Sequence, residues 1–510
     1  MDTMFKGKWV YVFLAAFVLL HVMSSRGLCL SFADGKLKIA GTVQQEMKWH
    51  VDGSFLPSGA GYDLANFRST IKLETTWRMV DTPDYMLDFR FVAKNFYDAA
   101  LDIDDDYRSS MNRYSTREAK HGLRYYNIFR NICREAFLNF ATDTLKIRVG
   151  KQIVNWGETS AMRMADVVNP MDQMGLVNQA FLTNFYEVKR GLWMVNMQYA
   201  PYNIPMDMQF ELLVIPDFQP DLLPPFGGYP PIGISEPFSM FKEFDRVMMV
   251  SRQKDREKSW GEPQVGFRVR GLLWGFEWRL QYLHQRIKTP VVDGVGGNQV
   301  LMGALLFGQR ARHIWEYPFY STFGFTMNKP FSYNIPLGFT RLDGSRLRFE
   351  SVLDYNRPFN RSSGDIKRMK RYGLAVSWDF KMYLPYVTPW NSNKWLYARF
   401  QFFQNWLPDK DPGDEWGPAG SGTISQFFGM PASRHSGSSV TAQFEYEMFK
   451  SRINPAVAFM HNINANTGLW VYMLTILPYG DWMINLSYID IFHSIAKHTD
   501  HMVFGIKRDF

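Results

Sequence analysis

The chain has 510 residues, a formal charge of +8 at pH 7 and an aromatic content of 16%. Its mean hydropathy of −0.24 is too polar for a helical membrane protein. Its basic residues are interleaved with acidic ones, which excludes the concentrated basic surface of nucleic-acid-binding proteins. Only two cysteines occur, Cys29 and Cys133, without a Cys/His cluster that suits a metal or a haem. We therefore expect no cofactor and no nucleic-acid partner.

The first residues predict a secretory signal peptide. Lys6 and Lys8 precede an apolar run over residues 9–20, and Ser31-Phe32-Ala33 places small residues where a signal peptidase reads them. The apolar run is shorter than the ~20 residues that a membrane-spanning helix needs. We expect residues 1–33 to be a signal peptide cleaved after Ala33, and residues 34–510 to form one domain.

Most of the remaining chain alternates apolar and polar residues. This period of two belongs to β-strands, whose successive side chains point to opposite faces. Many such strands, without an apolar stretch long enough for a spanning helix, predict a transmembrane β-barrel with lipid outside and water inside. Clear examples are 71–81, 85–94, 264–271, 276–286, 440–448 and 482–488.

About eighteen candidate strands can be counted, within the size range of porins. Connections after odd-numbered strands are long and those after even-numbered strands are mostly short, as in outer-membrane barrels with long extracellular loops and short periplasmic turns. The exception is 328–345, where Asp343-Gly344 is itself a hairpin signal. We therefore expect an antiparallel barrel of about 16–18 strands in the outer membrane of a Gram-negative cell. The predicted strands begin near residues 37, 71, 85, 132, 145, 190, 207, 264, 276, 315, 346, 371, 394, 438, 453, 468, 482 and 500.

The last predicted strand carries a candidate assembly signal. Phe504, Ile506 and the terminal Phe510 resemble the apolar pattern that outer-membrane assembly machinery reads, although Arg508 stands where an apolar residue is usual. Outer-membrane lipids and the barrel-assembly machinery are therefore expected partners, whereas the oligomeric state is left open.

Charged residues of both signs fall on the predicted inner face. Opposed charges across a lumen create a transverse field that orients polar or amphipathic solutes; alternatively, these ions pair with one another and fill the barrel. The acidic candidates are Asp88, Glu350, Glu445 and Glu447. The predicted pore-lining or constriction residues are Arg90, Lys146, Arg148, Gln152, Arg268, Arg270, Glu277 and Arg279.

The most distinctive stretch is LKIRVGKQIVNWGE at 145–158, followed by NPMD at 169–172. We predict that loop 154–189 folds into the lumen and sets its narrowest point together with Arg148 and Gln152; the alternative is a cap that lies over the mouth. A short helix over 172–188 fits the apolar spacing of Leu176, Ala180 and Phe181. The expected loop anchors are Asn155, Trp156, Asn169, Pro170 and Asp172.

This stretch resembles the signature of a Gram-negative outer-membrane family of unknown function, written G-[RK]-Q-x-V-N-W-G-E and then N-P-x-D. The match runs from Gly150 to Glu158 and from Asn169 to Asp172, with Lys151 where the family more often has Arg. The resemblance implies a barrel that passes or hands over a hydrophobic or lipid-like molecule. It also implies an RND-superfamily exporter and a periplasmic protein similar to lipid carriers as partners.

The sequence thus predicts a passive outer-membrane channel for small or amphipathic, lipid-like molecules. Apolar runs at 248–250 and 300–307 within two long loops favour a hydrophobic cargo. The alternative is a non-conducting barrel that acts as a scaffold, an adhesin or a sheath for a partner protein. An enzyme is not expected, because neither a GxSxG nor an HExxH motif occurs.

Overall fold

The computed structural model contains a closed antiparallel barrel with eighteen wall strands. Strands that are consecutive in the chain pair with each other, and the last pairs with the first, for example through Met502 and Trp49. The predicted transmembrane barrel of about 16–18 strands is therefore confirmed. The structure describes residues 30–50, 64–105, 129–159, 163–172, 185–222, 261–289, 291–292, 315–331, 335–337, 340–360, 366–384, 393–410, 435–464, 466–478, 481–492 and 501–509, with a few single residues between them.

The wall strands begin close to the predicted positions, because the period-two pattern marks each one. They are β1 Leu37–His50, β2 Leu64–Asp81, β3 Met86–Asp98, β4 Cys133–Ala141, β5 Leu145–Gln152, β6 Leu192–Tyr199, β7 Gln209–Ile215, β8 Gln264–Leu273, β9 Phe276–Arg286, β10 Phe319–Pro330, β11 Thr340–Asn360, β12 Ile366–Tyr383, β13 Trp395–Trp406, β14 Ser436–Tyr446, β15 Ile453–Asn462, β16 Thr467–Ile476, β17 Trp482–Phe492 and β18 His501–Asp509.

Apolar and aromatic side chains form the outer face of the wall. Leu280 of β9 is 53% exposed, whereas its neighbour Gln281 points inward and is 6% exposed. Outward rings on adjacent strands contact each other, as do Tyr282 and Phe323 with centroids 5.0 Å apart. Such an outer face suits contact with lipid, and the alternating inner face is left for polar groups.

Connections of different length lie at the two ends of the barrel. One end, here called the turn end, has connections 82–85, 142–144, 200–208, 274–275, 331–339, 384–394, 447–452 and 477–481. The other, the loop end, has 51–63, 99–132, 153–191, 216–263, 287–318, 361–365, 407–435, 463–466 and 493–500. The expected asymmetry is present, with 361–365 and 463–466 as short exceptions at the loop end.

The ambiguous segment 328–345 does not change the strand count. The short strand Ile335–Leu337 pairs with the start of β11, where Leu337 faces Thr340. Asp343-Gly344 lies inside β11, at an irregularity in its pairing with β12. Gly344 has a φ of +60°, which a glycine tolerates. The hairpin signal in the sequence therefore marks a β-bulge and not the turn itself.

Helices are short in the described part of the chain. They are Ala100–Ile103, Phe129–Ile132, and the 3-10 turns Phe185–Val188 and Pro205–Asp207. None of the helices among the described residues has the length and apolar character needed to cross a membrane.

The start of β1 and the end of β18 lie together at the turn end. In β18, Phe504 is paired with Leu486 and Met47 on the outward-facing side, and the Arg508 guanidinium lies 4.9 Å above the Trp482 ring. Ile506 is paired with Ile484 and Gln45, whereas Phe510 lies outside the described residues. Residues 1–29 also lie outside them, so the signal peptide stays a prediction. The short strand Leu30–Phe32 pairs with the start of β1.

Gly150 in β5 is required by a close approach of two backbones. Its φ is +135°, and a Cβ there would lie 2.7 Å from the Phe137 Cα of the neighbouring strand. Both the conformation and the space therefore exclude a side chain.

We expect Gly150→Ala to destabilise the folded barrel by about 2 kcal/mol or more, because strain and overlap add. The measurement is guanidinium unfolding of the refolded barrel in detergent. Gly261→Ala is the matched control, since a Cβ at that position meets no atom within 4 Å. Equal stability of the two variants would contradict the assigned backbone geometry.

Candidate functional site

The segment between β5 and β6 packs against side chains that point into the barrel. Its described parts are 153–159, 163–172 and 185–190, and residues 153–190 are called the lumenal segment below. Starting from β5, its contacts reach Phe403 on the inner face of β13. At its far end, Glu187 contacts Lys72 and Lys94 on the inner faces of β2 and β3. The segment therefore follows much of the inner wall.

Trp156 is the apolar centre of this packing. It is fully buried, in a cluster with Val154, Val168, Leu192, Met194, Leu213, Ile215 and Leu283. Gly266 leaves room for the Trp156 ring, because a Cβ at position 266 would lie 2.6 Å from that ring. The Arg268 guanidinium lies 5.3 Å from the centroid of the same ring. Burial of an aromatic ring of this size removes a large apolar surface from water.

A second apolar contact lies further round the wall. Met164 and Ala165 pack with Val352 of β11, Ala375 of β12 and Phe403 of β13. Met164 sits over Gly373 of β12, where an added Cβ would overlap its sulfur. A glycine in the wall again makes room for a side chain of the segment.

Asn169 joins the two ends of the segment through its side chain. Its Oδ1 accepts from the Val154 N–H at 2.9 Å, while its Nδ2 donates to the carbonyls of Gln152 at 3.2 Å and Arg190 at 2.9 Å. Next to it, the Pro170 carbonyl accepts from the Arg190 N–H at 2.8 Å. An asparagine side chain has two N–H donors and an acceptor oxygen, so this one residue satisfies backbone groups at both the start and the end of the segment.

A buried ion pair connects the middle of the segment to its end. Lys189 pairs with Asp166 and also donates to the Asn155 Oδ1. The Asp166 Oδ1 accepts from the Trp156 N–H at 3.3 Å. Burial alone would raise the pKa of Asp166, but the Lys189 ammonium and the Arg163 guanidinium hold that pKa below its ordinary value. The carboxyl is therefore charged at neutral pH.

Glu350 of β11 satisfies three backbone donors of the segment. Its Oε1 accepts from the N–H groups of Glu158 and, at 2.7 Å, Thr159, and its Oε2 accepts from the Ala165 N–H at 2.9 Å. The carboxylate is fully buried. Buried N–H groups without a partner are costly, so this one side chain allows an irregular backbone to lie against the wall.

Arginines of the wall hold the same stretch. Arg279 of β9 forms an ion pair with Glu158, and Arg348 of β11 donates to the Glu158 carbonyl at 2.8 Å. Gln281 of β9 donates to the Ala165 carbonyl at 2.8 Å. Inward side chains of β9 and β11 thus provide partners for both the charged side chain and the backbone carbonyls of the lumenal segment.

The end of the segment has a cluster of cations around one carboxylate. Glu187 pairs with Arg134 at 2.7 Å, Lys72 at 2.8 Å and Lys94 at 3.5 Å. Burial would raise the pKa of Glu187, but Lys94, Arg134 and Lys72 hold that pKa well below its usual range. The carboxylate links the segment to β2, β3 and β4.

The predicted pore-lining residues divide into two groups. The first is engaged by the segment or by neighbours: Gln152 is fully buried and donates to the Met194 carbonyl at 3.1 Å. Arg268 pairs with Glu211 at 2.5 Å, and Glu277 pairs with Arg279 at 2.9 Å. Because Gln152 is covered where the loop leaves the wall, it does not line open space.

The second group consists of Arg90, Lys146, Arg148 and Arg270. Arg90 pairs with Glu74 at 3.1 Å and with Glu135 at 3.3 Å. By contrast, Lys146, Arg148 and Arg270 make no ion pair with the carboxylates of the described residues. Arg270 donates to Gln209 at 2.8 Å, and Arg148 lies 5.5 Å from the Phe137 ring. These three side chains therefore carry positive charge on the inner wall without a direct ion pair to a described carboxylate.

The predicted anchors lie at the base of the segment. Asn155 and Trp156, with Asn169 and Pro170, make the contacts described above, and the Asp172 N–H donates to the Val188 carbonyl at 2.7 Å. The predicted helix over 172–188 lies mostly outside the described residues, of which 185–188 form a 3-10 turn. The apolar runs at 248–250 and 300–307 also lie outside them.

Sequence reasoning missed most of the polar partners of the segment. Glu350 was expected only as a lumenal charge, and Asp166, Glu187 and Lys189 were not singled out. These three residues are charges within a loop that is otherwise largely apolar. Because a buried charge requires a partner, they could have been predicted to form ion pairs inside the barrel. Among the described residues, no group of three or more His, Cys, Asp or Glu is arranged to hold a metal ion.

We expect Glu350→Ala to release the lumenal segment, because buried N–H groups lose their acceptor. A penalty of about 2 kcal/mol corresponds to roughly thirtyfold faster cleavage after Arg163 by trypsin. Mass spectrometry of the folded barrel in detergent measures the cleavage rate. Glu445→Ala, which removes an inward carboxylate of β14, is the matched control and should leave the rate unchanged. Cleavage that does not differ between the two variants would contradict the role of Glu350.

The Asp166–Lys189 pair predicts a pH dependence. A carboxyl whose pKa falls on folding stabilises the folded segment above its unfolded pKa of about 3.9, and the stabilisation is lost as pH falls through the folded value. Amide exchange of peptide 153–172, corrected for intrinsic rates, should stay slow from pH 7 to about 4. Asp166→Asn should exchange at least about tenfold faster at pH 7, because Lys189 is left buried without its partner. Wild-type protection that disappears between pH 7 and 5 would refute the assignment.

Comparisons with known proteins give a family and a set of distant barrels. No curated protein sequence matches the chain. Acinetobacter baumannii OccAB4 and Pseudomonas aeruginosa OccK1 (OpdK) each share 8% identity and a TM-score of 0.48, with 93% of this chain and 98% of theirs covered. Salmonella typhi OmpF, in a complex with daunomycin, shares 11% identity and a TM-score of 0.40 over 93% of this chain and 97% of its own. A family model described as "Protein of unknown function (DUF1302)" matches residues 61–501, so the chain belongs to the DUF1302 family.

Proposed function

We propose that this protein is a passive outer-membrane channel for small or amphipathic, lipid-like molecules. The lumenal segment narrows its interior. The apolar outer face of the wall and the unequal connections at its two ends support an outer-membrane location, with the turn end in the periplasm.

The packing of the lumenal segment against the inner wall carries this proposal. Barrels of sixteen to eighteen strands are wide enough to leave an aqueous channel. Trp156, Glu350 and Glu187 hold the lumenal segment against the inner wall, so the segment reduces the width of the channel.

The nature of the partners rests on the sequence motif at 150–158 and 169–172. An RND-type exporter and a periplasmic protein similar to lipid carriers would deliver or remove a hydrophobic cargo at the turn end. This assignment stays a prediction, and co-purification of the barrel with its periplasmic partners tests it.

We expect deletion of residues 160–185 to increase single-channel conductance by roughly twofold or more in planar bilayers and to admit larger solutes, because conductance grows with the open area of a pore. A barrel shortened by residues 412–432, in another long loop-end connection, is the matched control and should conduct like the wild type. Heat-modifiable migration on a gel establishes that each variant is folded.

The outcome separates the channel from the alternative. Folded wild type and folded deletion that both fail to conduct would support a scaffold, an adhesin or a sheath for a partner protein. Equal conductance of the deletion and the wild type would place the constriction elsewhere.

A further inference from the structure

Large apolar side chains are exposed on neighbouring connections at the turn end. Trp274 is 84% exposed, Tyr202 66%, Met206 44% and Tyr85 43%. The connections that carry them, together with one that lies between them, are called the turn-end patch below. They are 82–85, 142–144, 200–208 and 274–275.

The turn-end patch is one continuous surface. β3 and β4 are paired up to their turn-end residues, so the connections at their ends are neighbours. The Ala200 N–H donates to the Thr144 carbonyl at 2.7 Å, which joins the second connection to the third. The Met206 carbonyl lies against Gly271 of β8, where an added Cβ would be 3.0 Å from it. The third connection therefore contacts the hairpin that carries the fourth.

The turn-end patch is acidic. Its four connections contain Asp84, Asp143 and Asp207 but neither lysine nor arginine. All three aspartates are exposed, and none of them forms an ion pair with a described residue. Asp143 accepts a hydrogen bond from the Tyr202 hydroxyl. At the edge of the patch, Lys329 of β10 donates to the Trp274 carbonyl at 2.6 Å.

The backbone of the patch adopts conformations that its residues disfavour. Trp274 and Gly275 form the two-residue turn between β8 and β9, and their φ angles are +52° and +74°. A turn with two positive φ angles prefers asparagine before the glycine. Met206 also has a positive φ, of +64°. A bulky residue at positive φ is costly, and such positions cluster at functional sites. A partner that covers these side chains would account for their retention.

Lipid headgroups are the alternative occupant, and another turn-end connection shows the pattern that suits them. In 447–452, Phe449 is exposed and has a φ of +52°, but Lys450 and Arg452 follow it. Aromatic rings beside cations are typical of the interface with lipid phosphate. The turn-end patch has carboxylates where that connection has cations. Its charge therefore favours a partner that presents lysine and arginine, which pair with carboxylates and bind to aromatic faces.

We propose that the turn-end patch is the docking surface for a lysine- and arginine-rich segment of a periplasmic protein. Asp84, Asp143 and Asp207 pair with the cations of that segment, and the Tyr202 and Trp274 rings contact their alkyl stems and charged heads. Exposed ion pairs are individually weak, so the carboxylates mainly guide association and the rings add to affinity. This inference rests on the proposed periplasmic position of the turn end and names the chemistry of the partner.

Binding of a short fluorescent peptide of alternating lysine and arginine to the purified barrel tests the charge. The barrel with Asp84→Asn, Asp143→Asn and Asp207→Asn should bind the peptide at least about tenfold more weakly in low salt, as measured by fluorescence anisotropy. A peptide of alternating glutamate and glutamine should not bind the wild type. Equal affinity of the triple variant and the wild type would place the basic peptide elsewhere and overturn the proposal.

Trp274→Asn tests the aromatic contact separately from folding. It should weaken peptide binding by about threefold or more, because a cation–ring contact is lost. Its thermal stability should equal or exceed that of the wild type, since asparagine suits the turn. Phe449→Asn is the matched control, an exposed ring at positive φ outside the patch, and should bind the peptide like the wild type. Equal loss in both variants would contradict the assignment of the patch.

Photo-crosslinking in living cells tests the class of partner. A benzoylphenylalanine in place of Tyr202 should crosslink to a periplasmic protein through a peptide of net positive charge, and the triple asparagine variant should lose this product. The same group in place of Tyr386, which is 81% exposed on another turn-end connection, should not give it. Products formed only with phospholipid, with a second copy of the barrel or with segments that lack positive charge would overturn the proposal.

Conductance in planar bilayers separates this inference from the proposed channel. The patch variants leave the lumenal segment unaltered and should conduct like the wild type. A barrel that conducts but neither binds the basic peptide nor crosslinks would keep the channel and refute the docking surface. A barrel that binds and crosslinks without conducting would keep the docking surface and refute the channel.

Discussion

Backbone hydrogen bonding in a membrane constrains every other feature of this protein. Lipid offers no partner for an N–H or a carbonyl, so each wall strand pairs on both sides and the first strand closes on the last. The side-chain period of two then divides the wall into a lipid face and an interior face. Outward rings such as Tyr282 and Phe323 and inward groups such as Gln281 follow from that single requirement.

The same requirement governs the lumenal segment, whose described residues lie mostly outside the strands. Its donors and acceptors are satisfied by side chains: Glu350 accepts from three N–H groups, and Asn169 bonds to both ends of the loop. Apolar burial adds to this at Trp156 and Met164, both placed over wall positions that are glycine. The segment is therefore built into the barrel and is not a surface loop that happens to fold inward.

The interior is asymmetric because different strands supply different inner faces. Basic groups surround Glu187, and Arg279 pairs with Glu158, whereas Lys146, Arg148 and Arg270 lack ion pairs with described carboxylates. The inner face of β15–β18 carries apolar groups such as Val471 and Ile489 beside polar groups such as Asn485 and Ser487. The chemical character of the inner wall therefore changes around the ring of strands.

The sequence by itself determined the barrel, the approximate start of each wall strand and the unequal connections, because alternation and turn residues are local signals. It also singled out Trp156 and Asn169 by their unusual motif. It misjudged Asp343-Gly344, since a bulge and a hairpin share the same preference for a positive φ. Only the tertiary structure decided which inward groups meet. Glu350 lies far from Ala165 in the chain, and Gln152 is covered by a loop that starts next to it. These contacts depend on ring closure, because the position of a strand around the barrel depends on all the pairings between the strands.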